Sequence, residues 1–193
     1  IPIAKINDKK YVTIADLQQA INNIEESEEK VTIEILRNIS ISKDGDNLII
    51  PQNKNIEIDL KGFNITSEKE QIIINNGTLN ITDTTFTEEP KGSIILERTD
   101  QDIYKKLLIN NGRMRINKIN LIGYIWGTVV ENSGTLEISN TNIKVGQGRS
   151  SDESKGINNK IDGIVIITDT KFGMVNTGVS TIAPCSISVN NEQ

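Results

Sequence analysis

The side chains of this chain that could do chemistry are carboxylates and cations, because histidine is absent. That absence removes the commonest general base, the Ser-His and Cys-His nucleophile systems and the usual zinc sites. Catalysis would have to rest on Asp or Glu with help from Lys, Arg or Tyr, as in paired-carboxylate glycoside hydrolysis or calcium-assisted chemistry on an acidic cluster. Glu34, Glu57, Asn80, Arg115 and Glu137 stand at equivalent places of a recurring segment, with Asp59 two residues beyond Glu57. A column of mixed sign reads as a surface ladder, so no catalytic residue, metal ligand or cofactor is assigned. Glu57, Asp59 and Arg115 remain candidate ligand contacts. Tyr124 and Trp126, in Gly123-Tyr-Ile-Trp-Gly127, fall on one side of a strand. Facing outward they would be a platform for a sugar ring; facing inward, ordinary core. Asp83 and Asp169, each between two threonines, read as turn residues, as does Lys43-Asp-Gly-Asp-Asn47, which has only half the ligands of a calcium loop.

The elements that must position these residues repeat. Seven corners, Val31, Lys54, Gly77, Gly112, Gly134, Gly163 and Cys185, are each followed at two and four places by apolar residues, as in Leu79/Ile81, Met114/Ile116 and Leu136/Ile138. The steps between corners are 23, 23, 35, 22, 29 and 22 residues, one unit of 22 or 23 with two lengthened copies. A period of this size, built on alternation, predicts a stacked coil. A short apolar run precedes each corner, and a bulky apolar residue follows by nine places: Phe63, Phe86, Leu121, Ile143 and Phe172. Each unit therefore offers about three short strands separated by bends rich in Asn and Gly, which suit positive φ. An antiparallel sandwich also has short strands, but it would not repeat one residue at one corner.

The expected architecture is an all-β, single-stranded parallel β-helix of about seven coils over residues 31–193, with insertions near 87–106 and 146–159. Residues 1–30 fall outside the repeat. Lys5-Ile6 and Tyr11-Val12 read as a hairpin, and Thr13 caps an amphipathic helix whose stripe is Ile14, Leu17, Ile21 and Ile24. Such a helix covers the open end of a solenoid. Isoleucine makes up roughly a fifth of the chain, which suits stacked strands. A net charge of −5 without a basic patch excludes nucleic acid as the expected partner, and no segment is apolar for long enough to span a membrane. The lone cysteine, Cys185, sits at a corner in apolar company and reads as structural.

Ile74-Asn-Asn-Gly-Thr-Leu-Asn-Ile-Thr-Asp83 and Glu131-Asn-Ser-Gly-Thr-Leu-Glu-Ile-Ser-Asn140 resemble right-handed β-helices of the pectin lyase-like superfamily, above all the repeats of Firmicutes cell-surface and adhesin-like proteins. The resemblance extends to the entry region through Tyr11-Val-Thr-Ile14 and the helix after it. It implies right-handed coils and an extracellular or cell-wall location on a Gram-positive bacterium. Because the sequence stops at Asn190-Asn-Glu-Gln193 directly after the last apolar pair and starts with Ile, it is expected to be part of a longer polypeptide. The catalytic Asp clusters and Arg or Lys of pectate lyases have no counterpart here. The expected function is a non-catalytic stalk or adhesin module whose partner is a host protein or glycan. The alternative is a polysaccharide lyase or glycoside hydrolase using carboxylates on the β-helix face. A trimeric phage-type spike is a third reading.

Overall fold

The computed structural model describes residues 1–27, 29–97, 103–123, 126–146, 154–175 and 186–189. The chain enters through a hairpin, β1 (Ala4–Ile6) and β2 (Lys9–Tyr11), and a helix, α1 (Ile14–Asn22). Coils of three strands follow. The first is β3 (Val31–Ile35), β4 (Ile39–Ile41) and β5 (Leu48–Ile50); the second is β6 (Asn55–Asp59), β7 (Asn64–Ser67) and β8 (Ile73–Asn75). The third is β9 (Thr78–Thr82), β10 (Ser93–Leu96) and β11 (Ile103–Asn110), and the fourth β12 (Arg113–Asn117), β13 (Asn120–Gly123) and β14 (Trp126–Asn132). The fifth is β15 (Thr135–Ser139), β16 (Asn142–Gly146) and β17 (Lys155–Asn159), and the sixth β18 (Ile164–Thr168), β19 (Lys171–Val175) and β20 (Ser186–Val189). The first strands of the coils stack in parallel as sheet A, the second as sheet B and the third as sheet C. The chain is a parallel β-helix.

Alternation sends every second side chain inward, and stacking lines these up. Ile33, Ile58, Ile81, Ile116, Ile138 and Ile167 form one row in sheet A; Ile56, Leu79, Met114, Leu136 and Val165 form its neighbour. The row from Ile33 to Ile138 is at most 1% exposed. Val165 and Ile167, in the last described strand of sheet A, are half-buried. Ile65, Ile94, Leu121 and Ile143 fill sheet B, and Ile73, Leu108, Val130 and Ile157 fill sheet C.

Three expectations are corrected. Among the described residues the coils number six, because Ile187 and Val189 pair with Ile157 and Asn159 in sheet C and do not open a seventh coil in sheet A. In the first coil Val31 pairs with Ile56, so it is an inward strand residue two places beyond the corner. The triplet Val31, Ile33 and Ile35 satisfies alternation in either register, and Ile35 is taken by β1, where it faces Ala4. Phe63 and Phe86 lie in bends, and the sheet B row is built by Ile65 and Ile94 instead. The stretch near 87–106 contains β10 and the start of β11; the one near 146–159 ends in β17. Cys185 lies outside the described residues.

The corner glycines also have a different cause from the one expected. Gly112 and Gly134 do not adopt positive φ. A Cβ on Gly112 would stand 2.1 Å from the carbonyl oxygen of Gly77, and one on Gly134 would stand 2.0 Å from that of Gly112. Adjacent coils approach so closely here that only hydrogen fits. Positive φ belongs to other bend residues, among them Lys61, Lys118, Asn140 and Asp169, which turn the chain from sheet A to sheet B.

Behind the corners runs an asparagine ladder. Asn75, Asn110 and Asn132 are fully buried, and Asn159 is nearly so. Each Nδ2 donates to the next Oδ1, at 2.8, 2.7 and 2.7 Å. The same amide groups donate to Gly77 O, Gly112 O and Gly134 O in their own turns, and to Arg113 O, Thr135 O and Ile164 O one coil on. Buried amides are tolerated because their polar atoms are satisfied.

The N-terminal end is closed. β1 pairs antiparallel with β3 and blocks the edge of sheet A. Thr13 Oγ1 accepts from Asp16 N at 3.0 Å, and Leu17 and Ile21 of α1 are fully buried. Nine residues are too few for a stable isolated helix, so α1 depends on this burial. Gln18 also imitates a strand. Its Oε1 accepts from Ile49 N at 2.6 Å, and its Nε2 donates to Ile49 O at 2.8 Å, which covers the edge of sheet C.

Candidate functional site

The acidic residues at the ends of sheet A strands turn out to be bend staples. Asp59 is 4% exposed; its Oδ1 accepts from Lys61 N at 3.1 Å and Thr84 N at 3.0 Å, and its Oδ2 from Thr84 Oγ1 at 2.6 Å. Asp83, fully buried, accepts from Gly62 N, Thr85 N and Thr85 Oγ1 through Oδ1 and from Gly92 N through Oδ2. Both carboxylates thus tie the bends of adjacent coils together. Asp83 is a turn residue as expected, while Asp59, a candidate ligand contact by sequence, is turned away from solvent.

Farther along the outer face, register fixes a column of side chains: Thr32, Glu57, Asn80, Arg115, Glu137 and Ile166. Glu34 is not in it. The two-residue shift in the first coil sets Glu34 beside Asp59, and its carboxylate pairs with Lys5 at 3.2 Å. Glu57 holds three neighbours: Lys30 Nζ at 2.6 Å, Asn80 Nδ2 at 2.7 Å and Thr32 Oγ1 at 3.3 Å. Arg115 leans the other way, with Nε at 2.8 Å and a terminal guanidinium nitrogen at 2.7 Å from Glu137 Oε2. The column therefore divides into two self-contained groups, and the division falls between Asn80 and Arg115. Ion pairs this exposed contribute at most about 1 kcal/mol each.

At the division there is a cleft of about 280 Å³, walled by Lys30, Thr78, Asn80, Arg113, Arg115 and Glu137 among others. Asn80, one of the lining residues, has a buried Oδ1 without a hydrogen-bond donor among the described residues. Arg113 is exposed, and its guanidinium has no ion-pair partner among the described residues. Of the sequence candidates, Arg115 lines this cleft and Glu57 supports its wall. Tyr124 lies outside the described residues. Trp126 is placed by its backbone, which opens β14 opposite Ile103 in sheet C. Lys30 had no sequence signal, because it precedes the first strand and reaches the column only through the shifted register.

A second, larger groove of about 570 Å³ lies between α1 and sheet C, lined by Gln18, Asp46, Ile49, Lys69 and Ile74 among others. Among the described residues no three His, Cys, Asp or Glu side chains converge as a metal site, and no helix is long and apolar enough to cross a membrane. No family model, curated protein or solved structure matches the chain.

Proposed function

We propose that this chain is a non-catalytic, rigid binding module of a bacterial surface protein, displayed outside the cell or on a Gram-positive wall. It acts as stalk and adhesive face for a host glycan. The observation that carries this reading is the use to which the carboxylates on sheet A and in its bends are put. Glu57 and Glu137 are committed to their neighbours in the ladder, and Asp59 and Asp83 to the bends. General acid–base chemistry needs carboxylates free to approach a scissile bond. Ladder and staples instead give a stiff column with a polar, fixed face, which suits attachment. The resemblance to adhesin-like repeats supports the same reading. The test is paired: binding of the purified chain to an immobilised glycan panel, alongside incubation of the same glycans with it. Retention without new reducing ends or unsaturated products is expected. Cleavage of any bound glycan would replace this reading by the lyase or hydrolase alternative.

A further inference from the structure

We propose that the cleft between Asn80 and Arg115 binds one anionic sugar residue, its charge a carboxylate or a sulfate, with Arg113 as the principal contact. The inference rests on the reading of the chain as a glycan-binding module and names the site and the ligand class. Charge comes first. Lys30, Arg113 and Arg115 face two carboxylates, Glu57 and Glu137, and these neutralise Lys30 and Arg115. Arg113 is left over, a guanidinium with no ion-pair partner among the described residues, on a chain whose net charge is −5. Guanidinium groups offer paired donors in the geometry of carboxylate and sulfate oxygens.

Polarity comes second. Thr78 and Asn80 supply short polar groups beside Arg113, as hydroxyl recognition requires. Asn80 is held with its Nδ2 on Glu57, so its Oδ1 is the acceptor left unmet in the ladder. An unmet buried acceptor makes this rung the one that gains from rearranging around a ligand rich in hydroxyl donors. Size comes third. At about 280 Å³ the cleft sits at the lower edge of ligand pockets, roughly 300–1,000 Å³, which suits one sugar ring and not a bound oligomer. Register makes the site rigid, since Thr78 faces Arg113 and Asn80 faces Arg115 across paired strands.

The test uses three sugars with one ring and a different group at C6: glucose, glucuronate and glucose 6-sulfate, with inorganic sulfate as the fourth arm. Amide shifts are followed by NMR as each is titrated into the isotope-labelled protein. One or both acidic sugars should move the amides of Thr78, Asn80, Arg113 and Arg115, and the stronger of the two identifies the charge. Glucose should leave them in place, and R113Q should weaken binding roughly tenfold. Equal shifts with glucose, equal shifts with inorganic sulfate, shifts centred on another face, or no shifts would each overturn the proposal. Retention of R113Q on the glycan panel at wild-type strength would overturn this site while leaving the module reading intact.

Discussion

Replacing Asn110 tests the asparagine ladder directly. Its side chain donates to Asn132 Oδ1, Gly112 O and Thr135 O, and accepts from Asn75 Nδ2 and Gly112 N. Asn110→Ala removes all five contacts at a fully buried position. Asn75 Nδ2 keeps Gly77 O and Arg113 O, and Asn132 Oδ1 keeps Gly134 N, so the neighbours are weakened and not orphaned. At about 0.5–1.5 kcal/mol net per bond, and with the bonds sharing atoms, the loss should be about 3–4 kcal/mol. With a urea slope of about 2 kcal/mol per molar, the midpoint falls by roughly 1.5–2 M. Asn110→Asp sharpens the test. It keeps the shape but points a carboxylate oxygen at Asn132 Oδ1, Gly112 O and Thr135 O, all acceptors, so it should be at least as damaging as alanine. Amide hydrogen exchange at Gly112 and Gly134 should rise in both variants. An aspartate variant close to wild type, or an alanine variant costing under about 1 kcal/mol, would refute the assigned direction of the ladder.

Other perturbations read other parts of the fold. Gly112→Ala puts a methyl 2.1 Å from Gly77 O, so the coils must separate locally; a loss of about 3 kcal/mol or more is expected by urea unfolding, whereas a tolerated alanine would mean that the coils are less closely stacked. Asp83→Asn replaces two oxygens accepting from Gly62 N, Thr85 and Gly92 N with one oxygen and one donor, and should cost about 2–4 kcal/mol by the same measurement. Gln18→Ala uncovers Ile49 N and O at the edge of sheet C; it should cost about 1–2 kcal/mol and increase self-association, measured by sedimentation. Glu57→Gln should change stability by less than about 1 kcal/mol, since its bond to Lys30 involves a half-exposed amine.

The fold was legible where alternation and period acted together. Leu79/Ile81, Met114/Ile116 and Leu136/Ile138 each fit only one register, and the strands pair in that register. Legibility failed where a pattern allowed two answers. Val31, Ile33 and Ile35 keep alternation after a shift of two, and β1 decides between the registers, a partner no local pattern announces. Phe63 and Phe86 fit the nine-residue spacing by number, yet bend geometry puts them before the sheet B row. Asp59 shows the same limit at the site. Alternation sends it outward, but it is the last residue of β6, where the chain turns and folds its carboxylate under Thr84. Glu57 and Arg115, in mid-strand, stand on the outer face as alternation requires.

Regularity in a repeat is stabilising, so departures from it carry information. On sheet A the charges are neutralised from Lys30 to Glu57 and again from Arg115 to Glu137, and the face could continue that way at no evident cost. Beside them, in the neighbouring column, Arg113 lacks a counter-charge among the described residues, and Asn80 Oδ1 lacks a donor. An unmet buried acceptor costs on the order of 1–3 kcal/mol, more than an exposed ladder ion pair returns. A ladder built for stability alone would carry a carboxylate in place of Thr78 or Thr135, the two residues facing Arg113 across the sheet, and would leave no arginine over. Thr78→Glu creates that ladder: it should stabilise the chain slightly, by less than about 1 kcal/mol, while abolishing the acidic-sugar shifts at Arg113 and Arg115. A variant that gained the ion pair and still bound glucuronate or glucose 6-sulfate in the cleft would show that the unpaired charge is not what recognises the ligand.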